Sequence, residues 1–161
     1  MFGGSFDPPH IGHVLLPQLV REAIGAKWIA YIPAGRAPHK LDKKQTLPAH
    51  RVDMLRLALA ESKNTVVQLL EVQESRRDKP SYTVDTLEIL RKDLPDNVKL
   101  RLLIGCDQVR IFDQWREPER IIALAEPLVM VRPPDTRESL LASLADDDTR
   151  EQWKPRLVDV P

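Results

Sequence analysis

Short, β-rich apolar segments alternate with amphipathic segments along nearly the whole chain, and this order limits the possible folds more than any other feature. The apolar segments lie at residues 28–32, 65–72, 99–104, 128–131 and 156–160, and they have the length and composition of strands. Helical spacing of apolar residues separates them, at residues 14–24, 48–61, 84–94, 118–125 and 137–145. The alternation predicts an α/β fold, an open parallel sheet with helices on both faces and ligands bound beyond the carboxyl ends of the strands.

The size and charge of the chain narrow the choice of partners. Residues 1–161 suffice for one domain with a single substantial core. The 24 Lys and Arg residues balance the 24 Asp and Glu residues, so no overall field favours nucleic acid or an anionic membrane as a partner. The lone cysteine, Cys106, cannot form an internal disulfide, and neither a signal-peptide pattern nor a long apolar run is present. We therefore expect a soluble cytoplasmic protein in which any anion-binding site is local.

Both ends of the predicted sheet look shortened. Only Met1 and Phe2 precede the first glycines, which is too few residues for the central strand that should lead into the first helix. At the other end, Pro161 directly follows a predicted strand. The sequence therefore predicts a domain truncated at both ends, and such a domain is expected to be poorly stable.

A phosphate site is predicted at the N-terminal turn, where residues 3–13 read Gly-Gly-Ser-Phe-Asp-Pro-Pro-His-Ile-Gly-His. Glycines let a ligand approach the backbone, and the start of the following helix offers unpaired N–H groups and a positive dipole end. His10 and His13 are three residues apart, a spacing that can direct both imidazoles to the same phosphate. Pro17 is expected within or just beyond the first helical turn, where proline is tolerated.

Two other interpretations of this turn stay open on the residues alone. It fits an ordinary turn, with the histidines as a helix cap and a surface residue, because short glycine motifs are common. The histidines could also share a zinc ion, but His39, His50 and Cys106 lack ligand spacing, so no metal site is predicted. Neither Gly-x-Gly-x-x-Gly nor a P-loop is present, which argues against a dehydrogenase and a P-loop ATPase.

Residues 4–13 resemble the Gly-x-Phe-Asp-Pro-x-His-x-Gly-His signature of the nucleotidyltransferase superfamily, which has a Rossmann-like fold. The resemblance implies that His10 and His13 are catalytic and contact the phosphates at the reacting centre. It also implies an ATP site built from this turn and from the loop after the strand at residues 99–104. The residues implied at the ATP site are Gly3, Gly4, Ser5, Phe6, His10, His13, Gly105 and Asp107.

A second loop, Ile-Pro-Ala-Gly-Arg-Ala-Pro-His-Lys at residues 32–40, carries three potentially cationic side chains. Alone, it fits a phosphate site and a solvated basic loop equally well. It resembles the Pro-x-x-x-Pro-Pro-His-Lys loop of nicotinate-nucleotide adenylyltransferases, except that Ala37 replaces the first proline of the usual pair. The resemblance implies that His39 and Lys40 hold the phosphate of the mononucleotide.

A third segment, Lys-Pro-Ser-Tyr-Thr at residues 79–83, precedes a predicted helix for which Thr83 is a suitable N-cap. The N–H groups of such a helix start can also accept a carboxylate. Together with Asp-Thr-Leu at residues 85–87, the segment resembles the family's site for the nicotinate carboxylate. The resemblance implies Tyr82 and Thr83 as mononucleotide ligands.

The strand at residues 99–104 leads into Gly-Cys-Asp, with Trp115 a short distance beyond. From the residues alone, Asp107 fits a ribose ligand or a helix cap, and Trp115 fits core packing better than ligand stacking. The resemblance favours ligand roles for both, with Asp107 at the adenosine ribose and Trp115 stacked on the pyridine ring.

Three other reactive or aromatic residues are given structural roles. Trp28 and Trp153 match no ligand position of the family and are predicted to pack in the interior. Cys106 has no partner base in the sequence, so we do not expect it to act as a nucleophile.

As a whole, the resemblance implies adenylyl transfer from ATP to nicotinate mononucleotide, giving deamido-NAD and pyrophosphate in NAD biosynthesis. Mg²⁺ is expected to be carried by the ATP phosphates. The Ile-Ser-x-Thr-x-x-Arg segment with which the family clamps ATP is not found before Pro161. Two alternatives remain open: another adenylyltransferase of the superfamily, such as a pantetheine-phosphate adenylyltransferase, and a module that only binds a nucleotide. A homo-oligomer is an open alternative to a monomer.

Overall fold

The computed structural model describes residues 1–35, 45–74 and 80–160, and six parallel strands form one sheet. The strands are β1 Phe2–Gly4, β2 Ile29–Pro33, β3 Thr65–Val67, β4 Arg101–Gly105, β5 Glu126–Val131 and β6 Leu157–Asp159. Their order is β3-β2-β1-β4-β5-β6, so the chain builds outward from β1 to one edge and then returns to the other side of β1. The strand order therefore reverses between β1 and β4, where open α/β sheets bind their ligands. The predicted Rossmann-like parallel sheet is confirmed.

Eight α-helices connect or cover the strands in the described part of the chain. They are α1 Ile11–Ala23, α2 Pro48–Ala58, α3 Leu70–Glu74, α4 Thr83–Asp93, α5 Cys106–Val109, α6 Pro118–Leu124, α7 Arg137–Ala142 and α8 Asp147–Trp153. Short 3-10 turns lie at Phe112–Gln114 and Lys154–Arg156. Among the described residues, no helix is long and apolar enough to span a membrane.

Helices pack on both faces of the sheet because successive strand residues point to opposite sides. In β4, Leu102 and Ile104 join one apolar cluster, whereas Leu103 joins the other. The first cluster contains Leu87 of α4 and further residues of α6, α7 and α8. The second contains Leu16 of α1 together with residues of α2. The predicted two-sided arrangement is confirmed, with one apolar layer on each face.

The central strand is present, so the expectation that Met1 and Phe2 leave too few residues to form it is wrong. The glycines themselves belong to β1, and Phe2 and Gly4 pair with Tyr31 and Pro33 of β2. On the other side, the Leu103 backbone N–H donates to the Met1 carbonyl at 2.8 Å. Three residues are enough here because both neighbouring strands supply backbone partners.

Several predicted boundaries are wrong where short-range patterns were misleading. The strand predicted at residues 65–72 stops at Val67, and α3 follows it. Helix α8 lies in a segment where no helix was predicted. Trp28 was predicted to be interior but is 63% exposed, since it precedes β2 rather than belonging to it, whereas Trp153 is buried as predicted.

Candidate active site

A cavity of about 450 Å³ opens at the carboxyl ends of β1 and β4, at the reversal of strand order. Ten of the residues predicted at the two substrate sites line it: Gly3, Gly4, Ser5, His10, His13, Tyr82, Thr83, Gly105, Asp107 and Trp115. Two predicted ligands of the mononucleotide phosphate, His39 and Lys40, lie outside the described residues. One cavity therefore collects residues from four separate segments of the sequence.

Phe6 is the predicted ATP-site residue that does not line the cavity. Its side chain is 1% exposed and packs edge-on against Phe2, with ring centroids 5.8 Å apart. The same ring accounts for the presence of a glycine at position 4, because a Cβ on Gly4 would lie 3.0 Å from it. Phe6 has a φ of 49°, an uncommon left-handed conformation for a residue with a side chain. Phe6 thus packs in the interior next to the glycine turn. This position gives no basis for a contact between its side chain and ATP.

The two histidines lie face to face at the start of α1. Their rings are stacked with centroids 3.7 Å apart, and the His10 backbone N–H donates to His13 Nδ1 at 3.2 Å. Because Nδ1 accepts this hydrogen bond, the proton of a neutral His13 ring is assigned to Nε2. His10 is the N-cap of α1, as the alternative interpretation proposed, but both residues also line the cavity. The turn therefore brings two imidazoles and a helix start to one place.

Arg51 of α2 joins the loops on this side of the cavity and was not predicted from the sequence. It is 1% exposed, and its guanidinium donates to the carbonyls of Ser5 at 2.6 Å, Ala34 at 2.8 Å, Gly35 at 3.4 Å and Thr46 at 3.1 Å. Burial lowers the pKa of Arg51 from its ordinary value, an effect that the nearby charge of Asp7 opposes. The available signal was an arginine on the buried face of α2, beside Val52.

The cavity lining also contains the residues predicted to bind the pyridine ring and carboxylate of the mononucleotide. Tyr82 is the N-cap of α4 because its backbone is extended, so the prediction of Thr83 as the cap is wrong by one residue. Trp115 is half-buried, packs on Phe112 with ring centroids 5.2 Å apart and also lines the cavity. Trp115 Nε1 and Ser81 Oγ are buried, and neither has a hydrogen-bond partner among the described residues. These donors suit a polar group of a ligand.

A buried carboxyl group, Glu71 of α3, contacts both the loop after β2 and helix α4. Its Oε1 accepts a hydrogen bond from the Thr86 hydroxyl at 2.9 Å, and the Gly35 backbone also donates to the carboxylate. Burial raises the pKa of Glu71, although both hydrogen bonds act in the other direction. A Cβ on Gly35 would lie 2.1 Å from the Glu71 carbonyl oxygen, so only glycine fits there. Sequence reasoning missed this group because Glu71 falls inside the run predicted as a strand.

The loop after β4 places Asp107 beside Gly105. A Cβ on Gly105 would lie 2.6 Å from Asp107 Oδ1, so the glycine allows the carboxylate to fold back over the strand end. The N-cap of α5 is Gly105, which removes the alternative in which Asp107 caps that helix. Between them, Cys106 is buried and its thiol lies 3.5 Å from the Met130 carbonyl. Burial raises the pKa of that thiol, which disfavours the reactive thiolate form.

The reversed strand order and the glycine turn with its two histidines define an α/β nucleotide-binding domain. Comparison with protein families narrows that class, because the family model described as cytidylyltransferase-like matches residues 1–156. The chain belongs to this family and, within it, to the nicotinate-nucleotide adenylyltransferases.

Two bacterial relatives carry the narrower assignment. The probable nicotinate-nucleotide adenylyltransferase of Bacillus pumilus is 35% identical over 147 residues, covering 91% of this chain and 76% of the relative. The nicotinate-nucleotide adenylyltransferase of Bacillus subtilis is 35% identical over 133 residues, covering 83% of this chain and 68% of the relative.

The fold is also found in a solved structure. The nicotinic acid mononucleotide adenylyltransferase of Plasmodium falciparum, complexed with APC, superposes with a TM-score of 0.73 at 18% identity. The match covers 99% of this chain and 73% of that one. At this identity the likeness concerns the fold.

Proposed function

We propose that this chain transfers the adenylyl group of ATP to nicotinate mononucleotide, giving deamido-NAD and pyrophosphate in NAD biosynthesis. The observation that carries the proposal is the shared cavity, which joins the histidine pair to Tyr82, Thr83 and Trp115. The relatives that share the sequence over most of this chain are named for the same activity.

The chemistry requires alignment more than a base. A phosphate oxygen of the mononucleotide attacks the α-phosphorus of ATP, and the new P–O bond forms as the bond to the β-phosphate oxygen breaks. The electron pair of the broken bond leaves with pyrophosphate. Because the nucleophile is already an anion, catalysis comes from positioning and from stabilising the charge that develops.

The residues are assigned to the two substrates as follows. The backbone of Gly3, Gly4 and Ser5 approaches the ATP phosphates, and His10 and His13 donate to the transferring group. Gly105 and Asp107 hold the adenosine ribose. Tyr82 and Thr83 receive the nicotinate carboxylate, Trp115 stacks on the pyridine ring, and His39 and Lys40, outside the described residues, hold the mononucleotide phosphate.

The metal enters with the substrate as MgATP. Within residues 1–35, 45–74 and 80–160, no group of three or more His, Cys, Asp or Glu side chains is placed to hold a metal ion. The described side chains therefore do not form a dedicated metal cage, and Mg²⁺ is assigned to the phosphates and water. Since ATP and the mononucleotide are cytoplasmic metabolites, the proposal places the enzyme in the cytoplasm.

The first test is a comparison of acceptors. Pyrophosphate release is measured with MgATP and either nicotinate mononucleotide, nicotinamide mononucleotide or phosphopantetheine. We expect kcat/KM to be highest with the nicotinate form and the product to be deamido-NAD. If phosphopantetheine is the one acceptor that supports turnover with MgATP, the protein is another adenylyltransferase of the superfamily. ATP binding without turnover of any acceptor would identify a binding module.

The second test removes one proposed donor to the transition state. We predict that His13→Ala lowers kcat by roughly a hundredfold, because one donor to developing charge has about that value. The KM for the mononucleotide should change much less, since the contact strengthens only in the transition state. His50→Ala is the matched control, because His50 is exposed on α2 and does not line the cavity. A kcat for His13→Ala within a few-fold of the parent contradicts the role.

A further inference from the structure

Pro17 removes one backbone N–H donor from the hydrogen bonding of α1. It is the seventh of the 13 residues in this helix, further along than the predicted position within or just beyond the first turn, and it is buried. In an α-helix the backbone N–H of residue 17 would donate to the carbonyl of residue 13, but proline has no N–H. The carbonyl of His13, one of the two proposed catalytic histidines, therefore cannot receive its normal helical hydrogen bond.

The hydroxyl of Tyr31 takes the place of the missing donor. It donates to the His13 carbonyl oxygen at 3.1 Å from the neighbouring strand β2. Burial raises the pKa of this phenol, so it keeps its proton and remains a donor throughout the neutral range. The bond therefore links the central part of the sheet directly to the residue that carries the imidazole.

The ring of Tyr31 is held as firmly as its hydroxyl. Tyr31 is fully buried, and its ring packs against Phe2 at 5.8 Å and Phe6 at 6.0 Å between centroids. The same two phenylalanines contact the imidazole of His13, at 6.2 Å and 5.2 Å. A shift of Tyr31 or of the first turn of α1 would therefore disturb one packed group of four rings.

We infer that Tyr31 is a positioning residue for His13, holding its backbone so that the stacked imidazoles keep their place at the reacting phosphate. Tyr31 does not itself line the cavity. Its effect on the reaction passes through the His13 carbonyl and the shared aromatic packing. This inference rests on the proposed function for its kinetic consequences, but its structural part can be tested without turnover.

The kinetic test uses Tyr31→Phe, which removes the hydroxyl and keeps the ring. We expect kcat to fall about tenfold, because small displacements of catalytic groups can cost up to ~100-fold in rate. The KM values of both substrates should stay within about twofold, since no substrate contact is removed. Unchanged kcat overturns the inference.

Pro17→Ala supplies the rescue that separates positioning from general destabilisation. Alanine restores a backbone N–H opposite the His13 carbonyl, so Tyr31→Phe in this background should lower kcat by less than about twofold. Equal losses of kcat in the two backgrounds overturn the inference, because they show that the hydroxyl does not act through that carbonyl.

A spectroscopic readout serves if the Pro17→Ala protein does not fold. The imidazole resonances of His13 are compared between the parent and Tyr31→Phe, with exposed His50 as the internal control. We expect the His13 signals to move and those of His50 to remain. Unmoved His13 signals overturn the inference even if the parent catalyses a different reaction, whereas an inactive parent with moved His13 signals contradicts only the proposed function.

Discussion

At the scale of single residues, Trp115 shows that packing against the core does not prevent a side chain from lining the cavity. The indole packs against Phe112 in the apolar layer beneath, and it also lines the cavity. Its buried Nε1 has no hydrogen-bond partner in the described part of the protein. An indole fixed by packing loses little conformational freedom when an aromatic ligand stacks on it, so the packing supports the stacking role.

Replacing Trp115 should therefore affect one substrate selectively. We predict that Trp115→Ala raises the KM for nicotinate mononucleotide about fivefold or more, because aromatic stacking contributes on the order of 1 kcal/mol. The KM for ATP should remain nearly unchanged. The control is Trp28→Ala, since Trp28 is 63% exposed and absent from the cavity lining. A protein that loses thermal stability while both KM values stay at parental levels would show that Trp115 only packs.

Spacing along the chain predicted which residues lie together where those residues are close in sequence. The interval between His10 and His13 places them on one helix start, and their rings are indeed stacked. The burial of the Phe6 side chain was not predicted, because a motif gives the order of residues and does not reveal which side chain turns inward. Arg51 was missed for a different reason, since three of its four carbonyl partners, in Ser5, Ala34 and Gly35, belong to segments distant in sequence.

At the scale of elements, α2 and the loops after β1 and β2 form one hydrogen-bonded unit. Arg51 contacts the loop after β1 through Ser5 and the loop after β2 through Ala34, and it reaches Thr46 just before α2. Thr46 is also held by its backbone N–H, which donates to the Asp7 carboxylate at 2.9 Å. The two stems around residues 36–44 are thereby tied to the glycine turn.

Loss of this guanidinium should weaken the fold as well as the site. We predict that Arg51→Ala lowers the thermal midpoint by about 10 °C, because several partly or fully buried carbonyls lose their donor at ~1–3 kcal/mol each. Surviving protein should show raised KM values for both substrates. Arg56→Ala tests the same helix at an exposed position and should shift the midpoint little. Equal midpoints for the two variants would contradict the role of Arg51.

The boundaries of helices and strands were predicted correctly only where residues close in sequence determine them. Helix α6 begins at Pro118 as predicted, since proline suits the first helical position. The run at residues 65–72 reads as a continuous strand, yet its second part forms α3 and buries Glu71 against Thr86. That contact joins residues 15 positions apart, so the pattern of a short window could not reveal it.

At the scale of the whole molecule, the alternation of strands and helices predicted the layered sheet but not its strand order. The order depends on which apolar faces meet across the sheet, as where α1 packs near β2, β5 and β6 at once. The resulting reversal between β1 and β4 brings four segments into one cavity. Helix α3 adds a buried acid, Glu71, to the lining of this cavity, so the stability of the whole fold becomes dependent on pH.

The sign of this dependence follows from Glu71. Its pKa is raised by burial in the folded protein, so the folded state holds the proton more tightly than the unfolded chain does. Glu71 therefore favours folding most below the ordinary pKa of a glutamate, about 4.3. That contribution is lost as the pH rises through the raised pKa of the folded protein, because the carboxyl group of the unfolded chain ionises first and ionisation of the buried group is opposed.

We predict that Glu71→Gln is more stable than the parent at neutral pH and equally stable near pH 4. A glutamine resembles the protonated acid in shape and can still accept the Thr86 hydroxyl hydrogen bond, but it cannot ionise. The measurement is the thermal midpoint of both proteins from pH 4 to pH 8, with Glu61→Gln as a control at an exposed position. The gap between Glu71→Gln and the parent should widen as the pH rises, whereas the control should follow the parent throughout. A constant gap, or a variant less stable than the parent at neutral pH, would mean that the ionised carboxylate is held by its hydrogen bonds to Thr86 and Gly35 more strongly than burial opposes it.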